Sequence, residues 1–215
     1  MSVSTSISVR GALRGKTLAR VLFDDALRRH AAGLAGRALD LASGANPSYL
    51  PLLPPALEVV RTDRKEAPDV RAVDIDAKLP FGDGSFDAVF LFNALYIAED
   101  PEMLAREVLR VLKPGGTWFV LSPFIANEMP EPHDYLRFTE EGLERLCKRA
   151  GFAEVRIERL GERASAAAHL MHPFFFFNIV RALIFPLALL FDHLIPSRVR
   201  REHPAPLSYW CTAEK

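Results

Sequence analysis

The chain has 215 residues, enough for one α/β domain with a full core and an appendage but too few for two ordinary domains. Its 27 Lys and Arg are balanced by 27 Asp and Glu, so no overall charge draws it to nucleic acid, and none is expected as a partner. Cys147 falls in a helical pattern and Cys211 in a terminal strand pattern. Neither belongs to a CxxC or has ligand-spaced histidines beside it, which reads as two free buried thiols in a reducing compartment with no metal site.

Residues 1–36 form an N-terminal helical segment by pattern. They contain no apolar core followed by a small-residue cleavage site, so export by a secretory signal is not expected. Residues 1–20 are rich in Ser and Arg and free of acid. We read them as a frayed start leading into a helix rather than as an organellar transit segment, and the chain is expected in the cytoplasm. From Thr17 onward Leu18, Val21, Leu22, Ala26 and Leu27 follow helical spacing. Next comes RALDLASG at 37–44, an apolar strand buried on both faces and then a tight turn of small residues. EVVRTDR at 58–64, VRAVDID at 70–76 and FDAVFLFNAL at 86–95 read as further strands, each ending in a polar residue.

Pro101 opens a helix with the stripe Met103, Leu104, Val108, Val111 and Leu112, which Gly115-Gly116 is expected to stop before a strand at 116–124. Strand, helix, strand in this order implies a right-handed parallel crossover. Thr139 and Gly151 bracket another helix, strands follow at 153–160 and 207–214, and between these two lies an apolar insertion at 163–203. The expected fold is a doubly wound, mostly parallel α/β sheet of about seven strands in a single domain spanning 1–215.

Ligands of open parallel sheets sit outside the carboxyl ends of the strands, where Asp40, Ser43, Gly44, Asp63, Asp74, Asp76, Asn93 and Ala94 converge. A dinucleotide loop would carry three glycines at the first turn, and only Gly44 stands there. LDLASG, the acid in VVRTDR, DIDAKLPFGDGSFDAV, LYIAEDP and EVLRVLKPGG together resemble class I S-adenosylmethionine-dependent methyltransferases of the methyltransferase type 11 kind. The resemblance implies a Rossmann-like fold, S-adenosylmethionine as cofactor and methyl transfer as the activity. It implies that Ala42, Ser43 and Gly44 pack against the methionine part and ribose, with Asp40 ordering the turn. Asp63, next to Arg64, takes the ribose hydroxyls in this reading. Asp74 or Asp76 meets the adenine amino group with Ile75 or Ala77 on the ring face, and Asn93 and Ala94 border the sulfonium. Ala42 and Asn46 stand where relatives carry glycine, and Ile97 stands where many carry histidine.

The acceptor side is expected in PFIANEMPEPHDYLRFT at 123–139. Its PHDYxRFT segment resembles a subgroup of bacterial methyltransferases, although an earlier histidine of that subgroup is Met129 here. His133 is the candidate general base, oriented by Asp134, with Tyr135 beside them; the competing reading has Asp134 and Arg137 pinning the loop. The acceptor expected is a small molecule or lipid-linked compound. Two other readings are a non-catalytic nucleoside-binding or membrane-adaptor protein and a nicotinamide-dependent oxidoreductase.

HPFFFFNIVRALIFPLALLFDHLIP at 172–196 invites a membrane-spanning reading, but Arg181 lies within it and Pro186 divides it. The pieces would rise only about 18 and 14 Å as helices, against a hydrocarbon core of roughly 30 Å. A helical hairpin is expected instead, covering an apolar acceptor, docking on a membrane surface, pairing with a second copy of the chain or, as the plainer alternative, buried against the protein's own core.

Overall fold

A computed structural model describes residues 5–215. Two helices open it, α1 (Thr5–Leu13) and α2 (Leu18–Ala31). Thr17 caps α2, its hydroxyl accepting from the Arg20 amide at 3.2 Å. The stripe expected from the sequence is the buried face of α2. Buried in the same helix, Asp24 is paired with Lys16 and Arg20.

The sheet contains β1 (Gly36–Leu41), β2 (Leu57–Asp63), β3 (Val70–Ala72), β4 (Phe86–Phe92), β5 (Leu112–Pro123), β6 (Glu154–Leu160) and β7 (Ser208–Glu214). Their order is β3-β2-β1-β4-β5-β7-β6, parallel except for β7, which runs antiparallel to both neighbours. The seven-stranded, mostly parallel architecture agrees with the sequence reading. β1 and β4, buried along most of their length, sit at the centre, where both faces are covered.

The helices α3 (Pro101–Val111) and α4 (Glu140–Ala150) cover one face, burying Leu104, Val108, Leu143 and Cys147. On the other face lie α2, α5 (Arg163–Leu170) and α6 (Asn178–Leu194), with Leu27, Ala166 and Phe185 in that core. A short α7 (Ser197–Glu202) leads into β7. Asp100 caps α3 through the Glu102 and Met103 amides, and Thr139 caps α4 through Gly142. Gly151 ends α4 at φ 109°, a conformation open to glycine. The thiols of Cys147 and Cys211 lie 3.9 Å apart between α4 and β7.

Several local expectations are corrected. Gly115-Gly116 does not stop α3: the helix ends at Val111, and both glycines lie inside β5. A Cβ on Gly116 would come within 2.9 Å of the Lys113 carbonyl oxygen, so close approach rather than termination explains that glycine. Pairing in β3 stops at Ala72, which leaves 73–76 as loop, and β4 stops at Phe92 because Asn93 turns left-handed at φ 54°. The insertion is not split at Pro186. Instead α6 runs unbroken through it, because Ala182, Phe185, Ala188 and Leu189 form one continuous buried face across the proline. The hairpin is therefore α5 packed on α6, and Met171 to Phe177 form its connection.

Candidate active site at the carboxyl edge of the sheet

The turn after β1 is tied to β2 by three bonds. The Ser43 amide donates to the Thr62 carbonyl at 2.9 Å, the Thr62 hydroxyl to the Asp40 carbonyl at 3.1 Å, and the Gly44 amide to Asp63 Oδ2 at 2.7 Å. Arg61 steadies the far side, its Nη1 donating to the Ala45 carbonyl at 3.1 Å. Gly44 has φ 73° and Ala42 φ 55°, so Ala42 carries left-handed strain. Asn46 has no positive φ; the left-handed conformation that asparagine tolerates occurs instead at Asn93.

Beneath the turn, Asp40 is fully buried. Tyr49 donates its hydroxyl to Asp40 Oδ2 at 2.8 Å, and Asp40 Oδ1 has no hydrogen-bond partner. Burial pushes this carboxyl up to about 7, opposed by the Tyr49 hydrogen bond and the charge of Arg61 and reinforced by that of Asp63.

A cleft of about 470 Å³ opens at the carboxyl ends of the strands. Ala42, Asp63 and Arg64 line it from the ends of β1 and β2, Asp74, Ile75 and Asp76 from the loop after β3, and Asn93 and Ala94 from the end of β4. His133 joins them from the long loop after β5. The Asp74 and Asp76 carboxylates are partly engaged locally. Asp74 Oδ1 accepts from the Asp76 amide at 3.0 Å, and Asp76 Oδ1 from the Glu99 amide at 2.8 Å. Asp40, Ser43 and Gly44 stand behind this wall rather than on it.

The His133–Asp134–Tyr135 cluster is not assembled as expected. Asp134 is bound to Arg137 and accepts the Met129 amide at 2.9 Å, and Arg137 holds its carboxyl below the ordinary carboxylate range. Arg137 also donates to the Asn127 carbonyl at 3.3 Å. Asp134 therefore pins the loop and does not orient the histidine. His133 instead stacks on Tyr135, with ring centroids 5.0 Å apart, and Tyr135 lines a separate outer groove.

Sequence reasoning passed over Tyr96, a buried residue that lines the cleft opposite the acids. Arg137 lies over its ring at 5.3 Å, and burial followed by the nearby Asp134 charge raises its phenol pKa. The usable signal was its place in LYIAEDP, two positions beyond Ala94.

Residues 32–120 match the family model described as a methyltransferase domain. Over those residues the chain carries a methyltransferase domain. S-adenosylmethionine is the cofactor of this domain class. Over 90 residues the chain is 38% identical to a demethylmenaquinone methyltransferase of Renibacterium salmoninarum, covering 37% of this chain and 38% of that protein. Over 131 residues it is 31% identical to a sterol 24-C-methyltransferase of Aspergillus fumigatus, covering 48% of this chain and 34% of that one. The chain thus spans well under half the length of these two relatives. In overall fold it is similar to a S-adenosylmethionine-dependent methyltransferase from Archaeoglobus fulgidus, with TM-score 0.61 at 17% identity over 95% of this chain and 97% of the other.

The methyltransferase cleft fits its cofactor by three features of its own. Asp63 presents a carboxylate at a strand end with one oxygen already fixed by Gly44. A Cβ at Gly44 would meet nothing within 4 Å, so the backbone there faces open space. Val73 and Ile75 add an apolar wall against which a planar ring can pack.

Proposed function

We propose that this methyltransferase transfers a methyl group from S-adenosylmethionine to carbon on an apolar, lipid-borne acceptor of the quinone or sterol kind. The observation that carries the reading is one cleft at the carboxyl edge joining Asp63, Asp74, Asp76, Asn93 and Ala94 to His133 and Tyr96. Quinone and sterol methyltransferases among the relatives support the acceptor class, as do the apolar cleft walls Val73, Ile75 and Ile97.

When bound, the cofactor supplies a methyl group on a cationic sulfur, a leaving group already activated. Asp63 holds the ribose hydroxyls against a turn locked by its own bond to Gly44, and the Asn93–Ala94 backbone borders the reacting end. On the acceptor carbon the new C–C bond replaces a C–H bond, and His133 at the mouth of the cleft takes the released proton. Tyr96, kept protonated by burial, donates a hydrogen bond to an acceptor oxygen.

Labelled methyl transfer into fractionated lipid and small-molecule extracts tests the reading. Label in an apolar quinone or sterol fraction is expected; label confined to polar small molecules would overturn the acceptor class. In calorimetry, Asp63→Ala is expected to weaken S-adenosylhomocysteine binding by about 2 kcal/mol, the scale of a hydrogen bond to a charged group. Unchanged affinity would remove Asp63 from the ribose site.

A further inference from the structure

The outer face of α6 is apolar and uncovered. Ile179, Leu183, Leu187, Leu190, Phe191 and Leu194 recur at i, i+4, i+8, i+11, i+12 and i+15, and each is more than half exposed. Phe174, Phe176 and Phe177, 66–78% exposed, extend this stripe from the N-terminal end. At roughly 200 Å² for a large apolar side chain, the nine residues leave on the order of 1,000 Å² in water. The largest patch on an ordinary monomer is about 300–600 Å².

The charge around the stripe selects its occupant. Between 163 and 201 the one acid is Asp192, and it is buried. It accepts from the amides of Glu162 at 3.0 Å, Ala164 at 2.8 Å and Ser165 at 3.2 Å, so it is spent within the domain. Of the three arginines that follow the helix, Arg198 is paired with Glu202 at 3.0 Å, whereas Arg200 and Arg201 make no ion pair among the described residues. On α1, which packs along α6, Arg10 is accompanied by no acid among the described residues, and Arg14 comes just after that helix. A second copy seated on the stripe would bring like charges together. An anionic lipid surface would neutralise them while covering the apolar side chains.

We propose that α6 is an interfacial anchor, lying in the headgroup layer of an anionic membrane with its outer stripe immersed. No helix among the described residues is long and apolar enough to cross a membrane. The helix's inner face is committed to the domain through Phe185 and Ala188, so it lies in the surface plane rather than spanning. Its C-terminal end is tied to the sheet's carboxyl edge and its N-terminal end to α1. Asp192 holds the segment just past Leu160, which is level with Pro123 across Ser208. Asn178 donates to the Leu13 carbonyl at 3.3 Å, beside the start of α2, where Arg20 lies over Tyr49 of the cofactor turn. The anchor thus shares an edge with the cleft, although the inference rests on α6 and its charges alone.

Flotation of the full chain without cofactor, on vesicles of phosphatidylcholine alone and of phosphatidylcholine with phosphatidylglycerol, tests it. Binding to the anionic vesicles, weakened by salt, is expected. Leu183→Asp with Leu190→Asp should lower it at least about tenfold, and Arg201→Gln about fivefold, with circular dichroism unchanged because these side chains are exposed. No flotation on anionic vesicles at low salt, or flotation indifferent to the double aspartate variant, would overturn the proposal. So would a dimer in light scattering that the same variant splits, since a second copy would then be the occupant.

Discussion

Asp40 and Ala42 stand two residues apart, and both carry a free-energy cost at the start of the cofactor turn. The raised carboxyl of Asp40 has a definite sign in stability. Below about pH 4 the group is protonated folded and unfolded alike, and it costs nothing. As pH rises from 3.8 to about 7 the unfolded chain ionises while the folded one keeps its proton, so stability falls, and above that it is level. The shift is worth on the order of 4 kcal/mol at about 1.4 kcal/mol per unit. Asp40→Asn is therefore expected to be more stable than the parent at about pH 8, with the difference vanishing near pH 4, in urea unfolding at both values. A constant difference across that range would place the burial cost elsewhere. Ala42 bears a smaller cost, and relief of its φ of 55° by Ala42→Gly should raise stability by up to about 1 kcal/mol.

At the scale of elements, the insertion is held by a side chain rather than by its own hydrogen bonding. Asp192, near the C-terminal end of α6, caps the N-terminus of α5 through three amides and the Ser165 hydroxyl. Asp192→Ala would leave those buried donors unpaired, and a loss of about 2–4 kcal/mol is expected in chemical denaturation, with α5 and α6 losing amide-exchange protection before the sheet does. Protection lost uniformly would show that the cap does not control the insertion locally. This contact was not legible in the sequence, because it joins residues about 30 apart and Asp192 looks like any polar residue at a helix end. Elements bounded by local chemistry were legible: Thr17, Asp100 and Thr139 mark helix starts that need no tertiary information. Where a boundary depends on packing, local signals mislead. Pro186 looks like a break yet lies inside α6, and Gly115-Gly116 looks like a stop yet lies inside β5. The candidate site divides in the same way. The candidate cofactor residues came from strand ends, whose direction a parallel sheet fixes, whereas the contacts of Asp134 and Tyr96 depended on how one long loop folds back.

At the scale of the whole molecule, the carboxyl edge of the sheet holds the cleft and also the Asp192 attachment of α6. If the acceptor is dissolved in lipid, the enzyme must reach it at the interface, and docking by α6 raises the local concentration without entering the chemistry. The two roles are separable by substrate. With an acceptor embedded in anionic vesicles, the Leu183→Asp, Leu190→Asp variant is expected to lose roughly tenfold in kcat/KM, following its lost membrane affinity. With a short-chain, water-soluble analogue the same variant should match the parent, because neither side chain lines the cleft. Equal loss on both acceptors would mean that the stripe shapes the acceptor site itself; no loss on either would mean that the acceptor reaches the cleft through water.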